Sequence, residues 1–142
     1  MSMFVFCLLT VFLVPPALTD FAVTRLSLRW VAVSCAVFTV IRIHSGAGAV
    51  SILAGIAPGA VLMLAALTGR GIAWGDALAV TAVGCLTGWE SCLVILFVGS
   101  AVCAAWMLVR RKRQAPFLPG LLFAVWAVGM VQIMGEKGYL TL

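Results

Sequence analysis

Residues 49–67 read AVSILAGIAPGAVLMLAAL: nineteen positions with a single serine and no charge. A helix needs about 20 apolar residues to cross the hydrocarbon of a bilayer, so this stretch alone decides the class of fold. The rest of the chain follows the same rule. Of its 142 residues 65% are hydrophobic and only 9% are charged. Soluble domains carry roughly 25% charged residues, so the composition excludes a water-soluble domain. It also excludes a disordered chain, which requires low hydrophobicity. A nucleic-acid-binding domain is excluded as well: the net charge of +5 comes from nine basic residues set against four acids, not from a basic face. No stretch is polar for long enough to form a large extramembrane domain.

Outward from this run, breakers divide the chain into six apolar segments. Span one is expected over about Met3–Thr19, ended or kinked by Pro15 and Pro16. A polar interval, Asp20–Arg29, follows. Span two covers about Trp30–Ile43 and closes on the turn His44-Ser45-Gly46. Span three is Ala49–Leu67, with Pro58 inside it. Gly69-Arg70-Gly71 and Gly75-Asp76 bound the next loop. Span four covers about Ala77–Leu86, Gly88-Trp89-Glu90 is a turn, and span five runs over about Ser91–Val109. The charge run Arg110-Arg111-Lys112-Arg113 precedes Pro116 and Pro119, and span six covers about Leu118–Met134. Spans two and four are short for a straight crossing. The N-terminal stretch lacks a basic start and is read as a retained span, not a cleaved signal. The expectation is an all-α, polytopic transmembrane helical bundle of about six spans, forming one membrane-embedded domain over 1–142.

Alternation of the loops gives an orientation. Loops one-two, three-four and five-six share a side and hold Arg25, Arg29, Arg70, Arg110, Arg111, Lys112 and Arg113; only Arg42 and Lys137 lie opposite. Basic loops favour the cytoplasm, so both termini are expected outside. Arg110–Arg113 is read as a topology signal that touches anionic head groups. Trp30, Trp74 and Trp89 fall at span ends, where interface anchors belong.

The side chains then limit the chemistry. Cys7, Cys35, Cys85, Cys92 and Cys103 are odd in number, irregularly spaced and set in apolar runs, so they read as small buried hydrophobes. The single histidine, His44, provides neither a metal set with them nor a Ser-His or Cys-His arrangement. No metal and no cofactor is called for. The only two aspartates, Asp20 and Asp76, fall on the same expected face at the same depth. Ionisable groups near the membrane are costly and often functional. Two carboxylates held close do not both ionise easily: one keeps its proton, the other acts as a base, and the pair can activate a water. Taken singly, each has a plainer reading. Asp76, after Gly75 and ahead of a helix, is a candidate N-cap. Asp20 marks where span one meets water, with Arg25 as a neutralising neighbour.

The stretch Gly69-Arg70-Gly71-Ile72-Ala73-Trp74-Gly75-Asp76, leading into the small residues Ala77, Ala79, Ala82 and Gly84, resembles the second aspartate motif of type IV prepilin peptidases. Asp20, followed five positions later by Arg25 and then Leu26-Ser27-Leu28, is similar to that family's first motif. Pro116-Phe117-Leu118-Pro119 resembles the entry to its last span. These features cover most of the chain, in the family's order. Ala73 and Leu78 stand where the family usually has glycine and lysine, and Ser27-Leu28 where it has Pro-Asn. The resemblance implies a short-form membrane aspartic endopeptidase with Asp20 and Asp76 catalytic. Gly75, Trp74 and Arg25 would support the motif or bind substrate. The substrate would be a pilin-like precursor, cut at the cytoplasmic face of the inner membrane to remove its short basic leader. No Cys-x-x-Cys segment of the kind that accompanies methylation is present, so methyl transfer is not expected. The alternatives are a small membrane transporter or channel subunit, and a non-catalytic assembly factor on the same scaffold.

Overall fold

The computed structural model describes residues 3–23, 28–68, 73–110 and 117–136, with backbone alone at 19–23, 28 and 136. The described residues form six helices and no strand: α1 (Met3–Val23), α2 (Leu28–His44), α3 (Ala49–Leu67), α4 (Trp74–Thr87), α5 (Trp89–Arg110) and α6 (Phe117–Glu136). Three stretches are long and apolar enough to cross a membrane: Ala49–Leu67, Trp89–Arg110 and Phe117–Gly135. Met3–Leu18 and Trp74–Thr87 are apolar but shorter. In lipid a backbone must satisfy its polar groups within its own segment, which is why such a composition folds as helices throughout.

Two boundaries differ from the sequence expectation. Pro15 and Pro16 lie inside α1, and the helix continues past them to Val23. Asp20 is therefore a residue of the last turn of α1, not the first residue of a loop. Prolines are tolerated in apolar helices, where neighbouring groups satisfy the freed carbonyls again. At the other site, α4 begins at Trp74, with Ala73 as its N-cap in an extended conformation (φ −77°, ψ 142°). Asp76 is the third residue of the helix, so it is not the N-cap.

The helices gather into two compact units. One comprises residues 25–93, the other residues 1–24 together with 94–142. In the first unit α4 packs on both α3 and α2. The α3–α4 seam is made by glycine. A Cβ on Gly84 would collide with the carbonyl oxygen of Gly55 and come within 3.1 Å of Cys92 Sγ. A Cβ on Gly55 would collide with the carbonyl oxygen of Gly84, and one on Gly59 would stand 2.7 Å from Thr81 Cα. The two backbones thus touch over about one helical turn, the packing that small residues four apart permit between apolar helices. Ala77, Ala79, Val80, Ala82, Val83, Cys85 and Leu86 are buried along α4.

The ends of this unit are closed by two residues in the left-handed region. Gly46 (φ +79°) ends α2: its N–H donates to Ile43 O at 3.1 Å, and Ala47 N–H donates to Arg42 O at 3.1 Å. This is the paired bonding of a Schellman C-cap, which glycine enters without steric cost. Gly88 (φ +83°) is the single residue between α4 and α5, and its N–H donates to Gly84 O at 2.9 Å.

In the second unit α1 packs on α6. Leu9, Leu13, Leu118, Leu121, Ala124 and Val125 are buried. Gly120 lets α6 approach α5 closely, since a Cβ there would meet Cys103 Sγ at 2.5 Å and Gly99 O at 3.1 Å. Pro119 falls in the first turn of α6, where its missing N–H removes no helical hydrogen bond.

Candidate functional site

Of the site residues read from the sequence, Asp20 falls on α1 and Trp74, Gly75 and Asp76 on α4, helices of different units. Trp74, Gly75 and Asp76 form the first turn of α4. Asp76 N–H donates to Ala73 O at 3.1 Å and Ala77 N–H to the same oxygen at 3.3 Å, so one extended residue collects the first turn. A carboxylate here stands at the positive end of the helix dipole, an arrangement worth about 0.3–1 kcal/mol when exposed. Asp76 is half-buried. Trp74, two residues before it, is 44% exposed, as an anchor at a membrane surface should be. Ala77, immediately after Asp76, is fully buried, and Thr81 Oγ1 donates to its carbonyl at 2.9 Å. The carboxylate is thus carried on the rim of a rigid, glycine-packed helix.

Leu78, two residues after Asp76, is half-buried. Its carbonyl accepts a long contact of 3.7 Å from Cys35 Sγ of α2. That contact lies in the packing of α2 on α4. Trp30 is 48% exposed.

Asp20 belongs to the last turn of α1, where its backbone is helical. Its side chain and the whole of Arg25 lie outside the described residues. Arg110 and Trp106, both near the end of α5, form a cation–π pair with the guanidinium 5.0 Å from the ring centroid, while Arg111–Arg113 lie outside the described residues.

All five cysteines are free thiols. Cys85 and Cys92 are buried. Thr39 Oγ1 contacts Cys85 Sγ at 3.8 Å, and Cys92 Sγ contacts Val80 O at 3.8 Å. These are helix-packing contacts, as small hydrophobes make. Among the described residues no group of three or more His, Cys, Asp or Glu side chains is placed to hold a metal ion. His44 is exposed at the end of α2.

Two features went unread in the sequence. The Gly55-x-x-x-Gly59 spacing in α3 was the available signal for the α3–α4 seam. In the sequence Arg42 shows only as a charge on the less basic side, yet its guanidinium is held across a helix–helix interface, with Nη2 donating to Ser51 Oγ at 3.1 Å.

No protein-family model matches the chain, and no curated protein or solved structure matches it.

Proposed function

We propose that the chain is a membrane aspartic endopeptidase of the prepilin-peptidase kind, which removes the short basic leader of pilin-like precursors. The observation that carries this reading is the start of α4. Trp74-Gly75-Asp76 opens a helix, and the aspartate stands in its first turn, where the family's second motif requires it. Asp20, in the last turn of α1, adds the second helix-end carboxylate in the right chain order. The three apolar helices support a membrane location. In the proposed arrangement all six helices cross the cytoplasmic membrane, both termini are outside, and both aspartates lie on the cytoplasmic side.

The chemistry follows from a carboxylate pair that shares one proton. The ionised aspartate takes a proton from a water as the water oxygen attacks the carbonyl carbon of the scissile peptide. The protonated aspartate gives its proton to the carbonyl oxygen, forming a neutral gem-diol. As that intermediate collapses, the C–N bond breaks and the amine leaves with a proton from the first aspartate, while the second recovers its own. The products are a leader with a new carboxylate and a mature helix with a free amine. No metal or cofactor enters the cycle. Trp74 and Gly75 hold the rim where the substrate helix would approach through lipid, and Arg25 lies five positions beyond Asp20.

The test is cleavage of a membrane-inserted precursor, built of a basic leader, a glycine and an apolar helix, by membranes that carry the full chain. Wild type should release the leader. Asp20→Asn and Asp76→Asn, at normal membrane levels, should not. A precursor left intact by wild type would favour the transport or assembly readings.

A further inference from the structure

Arg42 stands in the last turn of α2, and its surroundings fit an anion. Its Nη2 donates to Ser51 Oγ at 3.1 Å, which ties the end of α2 to the first turn of α3. Its Nε–H is buried with no hydrogen-bond acceptor among the described residues. Glu90 lies two residues beyond Gly88, whose added Cβ would stand 3.7 Å from Arg42 Nη2. No described acid nevertheless lies within ion-pair distance of the guanidinium. Among the described residues the guanidinium therefore has no acidic partner. Leaving a buried charged donor without an acceptor is costly, and a planar guanidinium is matched best by a carboxylate or a phosphate.

The neighbourhood is open and rich in donors. A Cβ on Gly46 or Gly48 would meet nothing within 4 Å. Gly48 is the N-cap of α3 and offers no side chain to cap it; Ser51 N–H and Ile52 N–H donate to its carbonyl at 3.0 and 3.3 Å. The flanks are apolar. Ile43 is 60% exposed, Val50 82% and Leu53 67%. Val50 and Leu53 lie on α3, which is itself apolar enough to cross a membrane, and Ile43 lies at the end of α2. A cation at the end of such a span, with exposed aliphatic chains below it, has the two-part chemistry of a phospholipid: phosphate above, acyl chain beneath.

We propose that Arg42, with Ser51 and the open 45–48 turn, is a binding site for the phosphodiester of a membrane phospholipid, whose acyl chains lie against Ile43, Val50 and Leu53. The lipid phosphate neutralises the guanidinium charge and fastens the α2–α3 corner of the α4-centred unit to the bilayer. The site is independent of the aspartates.

The test is retention of phosphatidylglycerol by the full chain, measured by native mass spectrometry after extraction from vesicles of defined phosphatidylglycerol and phosphatidylethanolamine content. Arg42→Met should weaken retention about tenfold, the loss expected for a charge-assisted hydrogen bond. Arg29→Met, which removes the same charge from the exposed opposite end of α2, should leave it unchanged. Ser51→Ala keeps the charge but frees the side chain, and should weaken retention by a few-fold while the protein remains folded by its melting curve. Excess inorganic phosphate should not displace the lipid. Retention unchanged in both Arg42→Met and Ser51→Ala, an equal loss in Arg29→Met, or displacement by inorganic phosphate would overturn the proposal.

Discussion

Replacing Gly84 by alanine tests the glycine seam that holds α4, and with it Asp76, in place. The added methyl would collide with the carbonyl oxygen of Gly55 and stand 3.0 Å from its carbonyl carbon and 3.1 Å from Cys92 Sγ. Two of the three obstacles are backbone and cannot rotate away, so α3 and α4 must separate by on the order of 1 Å to restore ordinary contact. Separation also loosens the Gly59–Thr81 contact one turn away. Overpacking of this kind costs about 1–3 kcal/mol, and the rigid backbone on the far side argues for the upper end. Against it stands the gain of about 1 kcal/mol from exchanging glycine for alanine inside a helix. The net expectation is a loss of about 2 kcal/mol. Gly135→Ala is the internal control: its Cβ meets nothing within 4 Å, so it should be neutral or stabilising by up to about 1 kcal/mol. Equilibrium unfolding in mixed micelles, followed by tryptophan fluorescence, gives both values. The double variant Gly55→Ala with Gly84→Ala should cost less than the sum of the two singles, because the first substitution already parts the helices. A Gly84→Ala protein as stable as wild type, or a Gly135→Ala protein that loses as much, would refute the reasoning.

Thiol titration offers a second check. Unfolded protein should present five reactive thiols per chain, with no change on adding reductant, and in the folded protein Cys85 and Cys92 should react far more slowly than exposed Cys7; a disulfide in the fresh protein would contradict the packing described. Topology is open to reporter fusions. Alkaline phosphatase fused in the 45–48 turn should be active and in the 111–116 segment inactive, and replacing Arg110–Arg113 by glutamine should weaken that bias; the reverse pattern would remove the proposed orientation.

The helices were legible because lipid leaves the chain few choices. Ala49–Leu67 is read to the residue, since an uncharged apolar run between glycine-bearing turns has nowhere else to begin or end. The errors fell where polar residues enter a helix. Asp20 reads as a boundary because an acid after two prolines marks water in most sequences, yet α1 continues to Val23. Asp76 reads as a candidate cap because it follows glycine, yet Ala73 takes that position with backbone geometry alone. Neither outcome is fixed by residue type, because each depends on which carbonyls the neighbouring turn satisfies. The candidate site was legible as residue identities. The close approach of Gly55 to Gly84 and the reach of Arg42 to Ser51 are contacts between helices, and no single segment of sequence contains them.

The central claim is that Asp20 and Asp76 act as one catalytic unit. Its most direct measurement is the first-order rate of leader release from a membrane-inserted precursor for wild type, Asp20→Asn, Asp76→Asn and the double variant, at matched protein levels. General acid–base groups contribute about 10²–10⁴-fold each, so either single substitution should reduce the rate by at least 10²-fold. Because residues that act together are not additive, the double variant should be no slower than the slower single. Cleavage at the wild-type rate in either single variant would contradict the paired-aspartate account.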